Sequence, residues 1–372
     1  MTSRAAGPRS LGHDDHGVVV VAEQLRLAVP GGIGTYVEGL VSGLHALGAE
    51  APEATLWASR WHGRGVDPVA ALHRAECSRL PHRALVWAWD RGVAGPPAGA
   101  AVVHATSLAA PPPGDRPMSV MVHDVAWRHT PEAFPPRGRR WHEAALARAV
   151  ARARVLVVPS QAVAGDVVAA GAPARRVEVV EEGCDHLAAP DDRAAAALLR
   201  GLGVDGPFLL TVSTMEPRKN LARLAAAYAD AGRRLPGPWP LVVVGPAGWG
   251  TGVAAPPGSG IVLAGPVPAA VLSSLYRRAR ALVYVPLHEG FGLPPVEAMS
   301  VGTPVVASPV PSTAGAALEV DPYDPGAMAD ALVRVAGDEG CRSELVAAGR
   351  RRAAALTWAE TARRHAELWR SM

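Results

Sequence analysis

The chain has 372 residues, 49% of them hydrophobic and 19% charged, which is enough apolar matter for two cores rather than one. Its 37 Lys and Arg stand against 34 Asp and Glu, with the signs interleaved, so the concentrated basic footprint of a nucleic-acid binder is missing. Three scattered cysteines exclude a disulfide framework or a C-x-x-C metal site, and the aliphatic run 18–22 is far too short for a signal sequence or membrane span; a soluble, cytoplasmic, two-domain protein is expected.

The β-branched run 17–22 predicts a strand. A loop with Pro30, Gly31, Gly32 and Gly34 follows, then a helix over 36–47 closed by Gly48. Runs 101–104 and 118–122 predict buried strands, 139–152 an amphipathic helix and 155–158 a strand. Ser160 reads as the N-cap of a helix ending at Gly171, and 177–180 as the last strand of this half. Between Cys184 and Gly206 the pattern loosens, which marks a junction. Strands are then predicted over 208–212, 241–244, 261–264, 281–285 and 304–307, alternating with helices over 221–231, 272–280, 294–300, 327–336 and 342–356. Thr357 and Glu360 form a capping box for a final helix. Alternation of this kind predicts an α/β protein with doubly wound, Rossmann-like domains, divided as 1–185 and 186–356 with a last helix over 357–372.

Ligands of such sheets bind at the carboxyl ends of strands, so the loops after strands are the places to search. PGGIGTY, residues 30–36, lets backbone approach a ligand but fails the dinucleotide fingerprint, since Val37 stands where a third small residue is due; a structural turn and a ligand loop are both open. His123 and Asp124 follow the strand MSVMV, where they suit a polar substrate or a purely structural pairing. STMEPRKN, 213–220, holds the only lysine and the only asparagine of the chain, Lys219 and Asn220, beside Arg218. Cations at the start of a helix oppose its dipole unless an anion joins them, which favours an anion site over a solvated basic turn. VPLHEGFGLPPVEAM, 285–299, places Glu289 and Glu297 on either side of a Gly290-Phe291-Gly292 turn. Both acids are then able to face one cleft and accept paired hydrogen bonds from vicinal hydroxyls. For Glu297 alone, the helix dipole offers a structural explanation.

These segments resemble the retaining glycosyltransferases of family 4, which have the GT-B fold. EGFGLPPVEAM looks like that family's E-x7-E signature. VSTMEPRKNL looks like the diphosphate-binding segment of the branch that includes bacterial mannosyltransferases, and VMVHDVAWRHTPEAF and LTWAETA fit the same branch. The resemblance implies two Rossmann-like domains facing across a cleft, with a last helix that crosses back to the first. It implies that Arg218 and Lys219 hold a donor diphosphate and Glu297 the ribose hydroxyls. Glu289, with Gly290, Phe291 and Gly292, would hold the transferred sugar, His123 would lie near the anomeric centre, and the Gly32 and Gly34 loop would close over phosphate or acceptor. It departs from the pattern at Thr214, where many members have Arg, and in having no acid between Glu297 and Glu319.

The reaction implied is transfer of a hexosyl group, mannose from GDP-mannose first, to a glycan, a lipid-linked glycan or a small molecule, with no metal or other cofactor. A glycoside hydrolase using Glu289 and Glu297, a dinucleotide oxidoreductase and a non-catalytic sugar-nucleotide-binding protein are the competing classes. Helix 139–152, with Trp141 and its arginines, reads either as a peripheral membrane contact or as an ordinary solvated face.

Overall fold

The computed structural model describes residues 17–248 and 255–372, so the first 16 positions of the expected 1–185 domain lie outside the described residues. The first half comprises β1 (Gly17–Val21), α1 (Gly31–Leu47), β2 (Ala54–Ala58), α2 (Pro68–Leu72), β3 (Ala75–Cys77), α3 (His82–Asp90), β4 (Ala100–Ala105), β5 (Met118–Met121), α4 (Ala126–His129), α5 (Pro136–Arg152), β6 (Val155–Val158), α6 (Gln161–Ala169) and β7 (Val177–Val179). Its seven strands form one parallel sheet in the order β3-β2-β1-β4-β5-β6-β7. The second half comprises α7 (Asp192–Gly201), β8 (Leu209–Val212), α8 (Leu221–Ala231), β9 (Leu241–Val244), β10 (Ile261–Gly265), α9 (Ala269–Arg278), β11 (Ala281–Tyr284), α10 (Leu293–Ser300), β12 (Val305–Ala307), β13 (Leu318–Glu319), α11 (Pro325–Gly337), α12 (Glu339–Ala354) and α13 (Trp358–Arg370). Here six parallel strands run in the order β10-β9-β8-β11-β12-β13.

Parallel sheets are covered on both faces, and the strand sequences show why. Four consecutive valines in β1 are all buried: Val18 and Val20 pack with Tyr36, Val37 and Leu40 of α1, while Val19 and Val21 pack with Leu146 of α5 and Val163 of α6. In the second sheet Leu210, Val242 and Leu282 face α9 and α10, and Leu209, Val243 and Val283 face α8 and α11.

The final helix returns to the first sheet. Its capping box forms as read, with Glu360 N–H donating to Thr357 Oγ1 at 3.2 Å. The return depends on glycines. A Cβ at Gly39 or Gly43 of α1 would sit 2.1 or 2.0 Å from Trp358, and one at Gly183 would sit 2.3 Å from the same residue. A buried chain of hydrogen bonds runs through this interface. His365 Nδ1 donates to Thr361 O at 2.8 Å, which leaves its Nε2 to accept from Tyr36 Oη at 2.8 Å. Tyr36 Oη then accepts from His104 Nε2 at 2.9 Å, and Ser119 Oγ, itself receiving the Trp369 indole N–H at 3.1 Å, donates to His104 Nδ1 at 2.9 Å. Both histidines are thereby neutral: burial pushes His104 well down and His365 down to about 4.

Three expectations change. The helix predicted over 36–47 begins at Gly31, so Gly32 and Gly34 belong to its opening turn rather than to a loop. β2, α2, β3, α3 and α4 are additional elements, and so is the two-residue β13. Arg218 and Lys219 lie not in the first turn of α8 but in a 3-10 turn, Pro217–Lys219, which precedes it. Among the described residues no helix is long and apolar enough to cross a membrane.

Candidate active site

The carboxyl ends of the two sheets face each other across a cleft of about 1020 Å³. Gly32, His123, Asp124, Arg218, Lys219, Glu289, Phe291, Gly292 and Glu297 all line it. Gly34 and Gly290 are not in its lining. Gly34 is buried, and a Cβ there would sit 2.3 Å from Pro30, so its smallness closes the first turn of α1.

The strongest charges lie on the second-half side. The turn after β8 carries Arg218 and Lys219, and the loop after β11 carries Glu289. Lys219 Nζ donates to Glu289 Oε2 at 2.5 Å and to Tyr284 Oη at 2.9 Å, and Tyr284 Oη donates to Glu289 at 2.7 Å. Arg218 reaches Glu289 at 3.3 Å and, through Nε, Glu216 at 2.6 Å. Burial pushes the Glu289 carboxyl up, but Lys219 and Arg218 more than offset this and hold it at about 2. Burial lowers Lys219 despite Glu289, and it raises Glu216. The anion expected beside Arg218 and Lys219 is therefore present within the protein, as carboxylates; a diphosphate entering here has to compete with Glu289 and Glu216.

Asn220 is the hinge of this turn. Its φ of +61° is left-handed, a conformation that asparagine tolerates better than most residues. Its Nδ2 donates to Val285 O at 3.0 Å and Pro322 O at 2.7 Å, tying the cationic turn to the Glu289 loop.

Of the two readings open for His123, its ring shows the structural pairing. Nε2 donates to Thr106 O at 2.9 Å and Nδ1 to Glu182 at 3.1 Å, so both nitrogens are taken. Burial opposes charge on this ring, but Glu182 more than offsets it and raises the pKa, giving an imidazolium at the cleft wall. Asp124 Oδ1 accepts from Ala126 N–H at 3.0 Å at the start of α4.

The turn 290–292 has structural duties beyond its expected role. A Cβ at Gly290 would sit 1.8 Å from His123 O, and Ser160 Oγ donates to Gly290 O at 2.7 Å, so the two halves touch at this residue. The Phe291 side chain is buried in the second core. Gly292 has φ +96° and its carbonyl accepts from Ser312 Oγ at 2.6 Å. Glu297 accepts from Tyr276 Oη at 2.6 Å and His186 Nε2 at 3.0 Å; the Trp358 indole N–H donates to His186 Nδ1 at 3.1 Å, which keeps the ring proton on Nε2.

Several groups had no place in the sequence reading: Tyr284, Glu182 and the turn 245–248, which line the cleft, and Tyr276 and His186, which hold Glu297 from behind. Tyr284 ends β11, one residue short of the strand predicted over 281–285, and was reachable on that ground. The turn is not reachable by period: Gly245 and Gly248 are needed because Cβ atoms there would sit 2.0 and 2.3 Å from the carbonyls of Ser213 and Met215. Trp141 donates to Asp90 at 3.0 Å and Arg148 pairs with the same carboxylate, so these two α5 side chains are engaged within the protein.

Two Rossmann-like halves with a charged cleft between their strand ends define the GT-B class of glycosyltransferase folds. Solved structures share it: sucrose-phosphate synthase from Thermosynechococcus elongatus matches at TM-score 0.68 and 19% identity, covering 96% of this chain and 98% of that one. HepE of Anabaena, solved with UDP-glucose, matches at TM-score 0.69 and 16% identity, covering 96% and 100%. Residues 30–187 match the family described as Glycosyltransferase Family 4, and 206–338 the one described as Glycosyl transferases group 1. The first half therefore carries a Glycosyltransferase Family 4 domain and the second a Glycosyl transferases group 1 domain. The O-antigen chain mannosyltransferase B of Escherichia coli is 30% identical over 249 residues, 63% of this chain and 65% of that relative. The D-inositol 3-phosphate glycosyltransferase of Frankia alni is 37% identical over 212 residues, 50% and 51% of the two chains. The matches thus span about half to two thirds of these relatives' length.

Proposed function

We propose that this protein transfers a hexosyl group, with retention, from a nucleoside diphosphate sugar to an acceptor hydroxyl on a glycan, a lipid-linked glycan or a small molecule. The observation that carries the reading is the half-buried pairing of Arg218 and Lys219 with Glu289 at the carboxyl ends of β8 and β11. GDP-mannose is the favoured donor because a relative at 30% identity is named a mannosyltransferase. The exposed free thiol of Cys77 suits a reducing, cytoplasmic setting.

In this reading the bond from the anomeric carbon to the β-phosphate oxygen breaks. A bond to the acceptor oxygen forms on the same face, and the departing diphosphate takes the acceptor's proton. Arg218, Lys219 and the His123 imidazolium stand where negative charge grows, so no divalent ion is called on for catalysis. Glu297 would accept from the ribose hydroxyls and Glu289 from the sugar. A hydrolase would need one carboxyl to donate a proton; Glu289, held at about 2, is not that acid.

Thermal unfolding with GDP, UDP, dTDP, ADP and NAD in parallel tests the reading. A nucleotide at about 100 times its Kd adds roughly 2.7 kcal/mol, which raises the midpoint by a few degrees. A selective shift with GDP, followed by mannosyl transfer from GDP-mannose, is expected. A shift with NAD alone, or with none, removes Arg218, Lys219 and Glu297 from a donor site.

A further inference from the structure

Beside the cleft, three side chains far apart in sequence come together. His129 ends α4, Asp166 lies in α6, and His288 precedes Glu289 in the loop after β11. One ring nitrogen of each histidine and one carboxylate oxygen lie within 4.8 Å of one another, the only such group among the described residues. His129 Nε2 is 2.9 Å from Asp166 Oδ2, and the two imidazoles stack with centroids 4.0 Å apart and planes at 13°. A second observation points to a missing occupant: His288 Nε2 is buried and has no hydrogen-bond partner. A buried polar atom left in this state carries its full desolvation cost, so such atoms call for an explanation.

Two imidazoles and one carboxylate make up a donor set that catalytic and structural zinc ions use, with water completing four-coordination. Bonds of ~2.0–2.2 Å put neighbouring ligand atoms of a tetrahedral ion roughly 3.4 Å apart, against the observed span of up to 4.8 Å, so an ion would draw the three side chains together. The site is open to ions, since the side chains of His129 and Asp166 are 41% and 23% exposed. We propose that His129, Asp166 and His288 bind a divalent transition-metal ion of the zinc class, which ties the two halves together beside the Glu289 loop. The ion has a conformational role here; the transfer chemistry proposed above does not pass through it, and the proposal does not rest on that chemistry.

The test uses the full chain, stripped with chelator and titrated with Zn²⁺ by calorimetry and with Co²⁺ by visible absorption. One ion per chain is expected, with a cobalt spectrum of mixed nitrogen and oxygen donors and a higher thermal midpoint. His288→Ala and His129→Ala should each weaken binding by at least the roughly 10–100-fold seen for loss of outer-shell partners. The exposed His129 makes its variant the one least able to disturb folding. His45→Ala, which breaks the separate His45–His73 contact, should leave binding unchanged. No binding by the parent chain, binding as tight as the parent's in both site variants, or binding that follows His45 instead overturns the proposal.

Discussion

Lys219 and Asn220 each occur once in this chain, and they are held there for different reasons. Asn220 answers a backbone demand, a left-handed residue whose amide must also reach two carbonyls. Lys219 answers a charge demand, a compact ammonium between Glu289 and Tyr284 rather than the wide, forked guanidinium of arginine. The sequence made the pair conspicuous against 36 arginines, but it did not separate these two causes, because both depend on the loop after β11 that they contact. Lys219→Ala is expected to lower kcat by ~10²–10³-fold with unchanged circular dichroism, and Lys219→Arg to give no rescue; activity near that of the parent chain would exclude Lys219 from the chemistry. Glu216 adds a second test. Its pKa is already raised by burial, and a donor diphosphate beside it raises it further, so donor binding should take up protons. Affinity should therefore fall as pH rises, and calorimetry in buffers of different ionisation enthalpy reads the proton count directly.

At the scale of elements, α1 and α13 show what periodicity conveys and what it omits. Both helices were readable, α13 down to its Thr357 cap, because apolar spacing and capping are local properties. Their contact was not, since Gly39 and Gly43 look like weak points in a helix until Trp358 is seen to fill the space that they leave. β3 escaped for a related reason: it has three residues, and its exposed Glu76 and Cys77 mark an outer strand with little apolar signal. Gly39→Ala and Gly43→Ala are each expected to cost about 1–3 kcal/mol, as overpacking does, although alanine is the better helix former. Urea unfolding checks this, and stability that rises with either substitution would refute the packing assignment. Tyr36→Phe tests the same interface more finely. It leaves His104 Nε2 and His365 Nε2 unpaired in the core, at about 1–3 kcal/mol per group, while the apolar volume is nearly unchanged.

Over the whole molecule, two parallel sheets and their facing ends were legible from strand-helix alternation, whereas the closure of the cleft was not. Closure rests on Gly290 against the His123 carbonyl, a contact between backbones 167 positions apart that no local pattern encodes. The buried neutral histidines give the whole fold a predictable pH response. Their pKa values are lower in the folded chain than the ordinary 6.5, so the unfolded chain binds the extra protons. The stability they permit is complete above pH 6.5 and is lost as pH falls toward 4, by up to about 1.4 kcal/mol per pH unit for each histidine. Below pH 4.5 the loss deepens as Glu289, held at about 2, favours protonation in the unfolded chain. Denaturant midpoints from pH 7 to pH 4 test this, and Tyr36→Phe should not abolish the slope, because burial rather than Tyr36 is its main cause. The return of α13 also sets a clock on the making of the protein. The groove in α1 that receives Trp358 leaves the ribosome early, and its filler follows 179 positions after the end of β7. At ~5–20 residues per second, the first sheet waits on the order of 10–40 s with that groove open to water and to other nascent chains. Its vulnerability to aggregation therefore belongs to synthesis, and slower translation lengthens it.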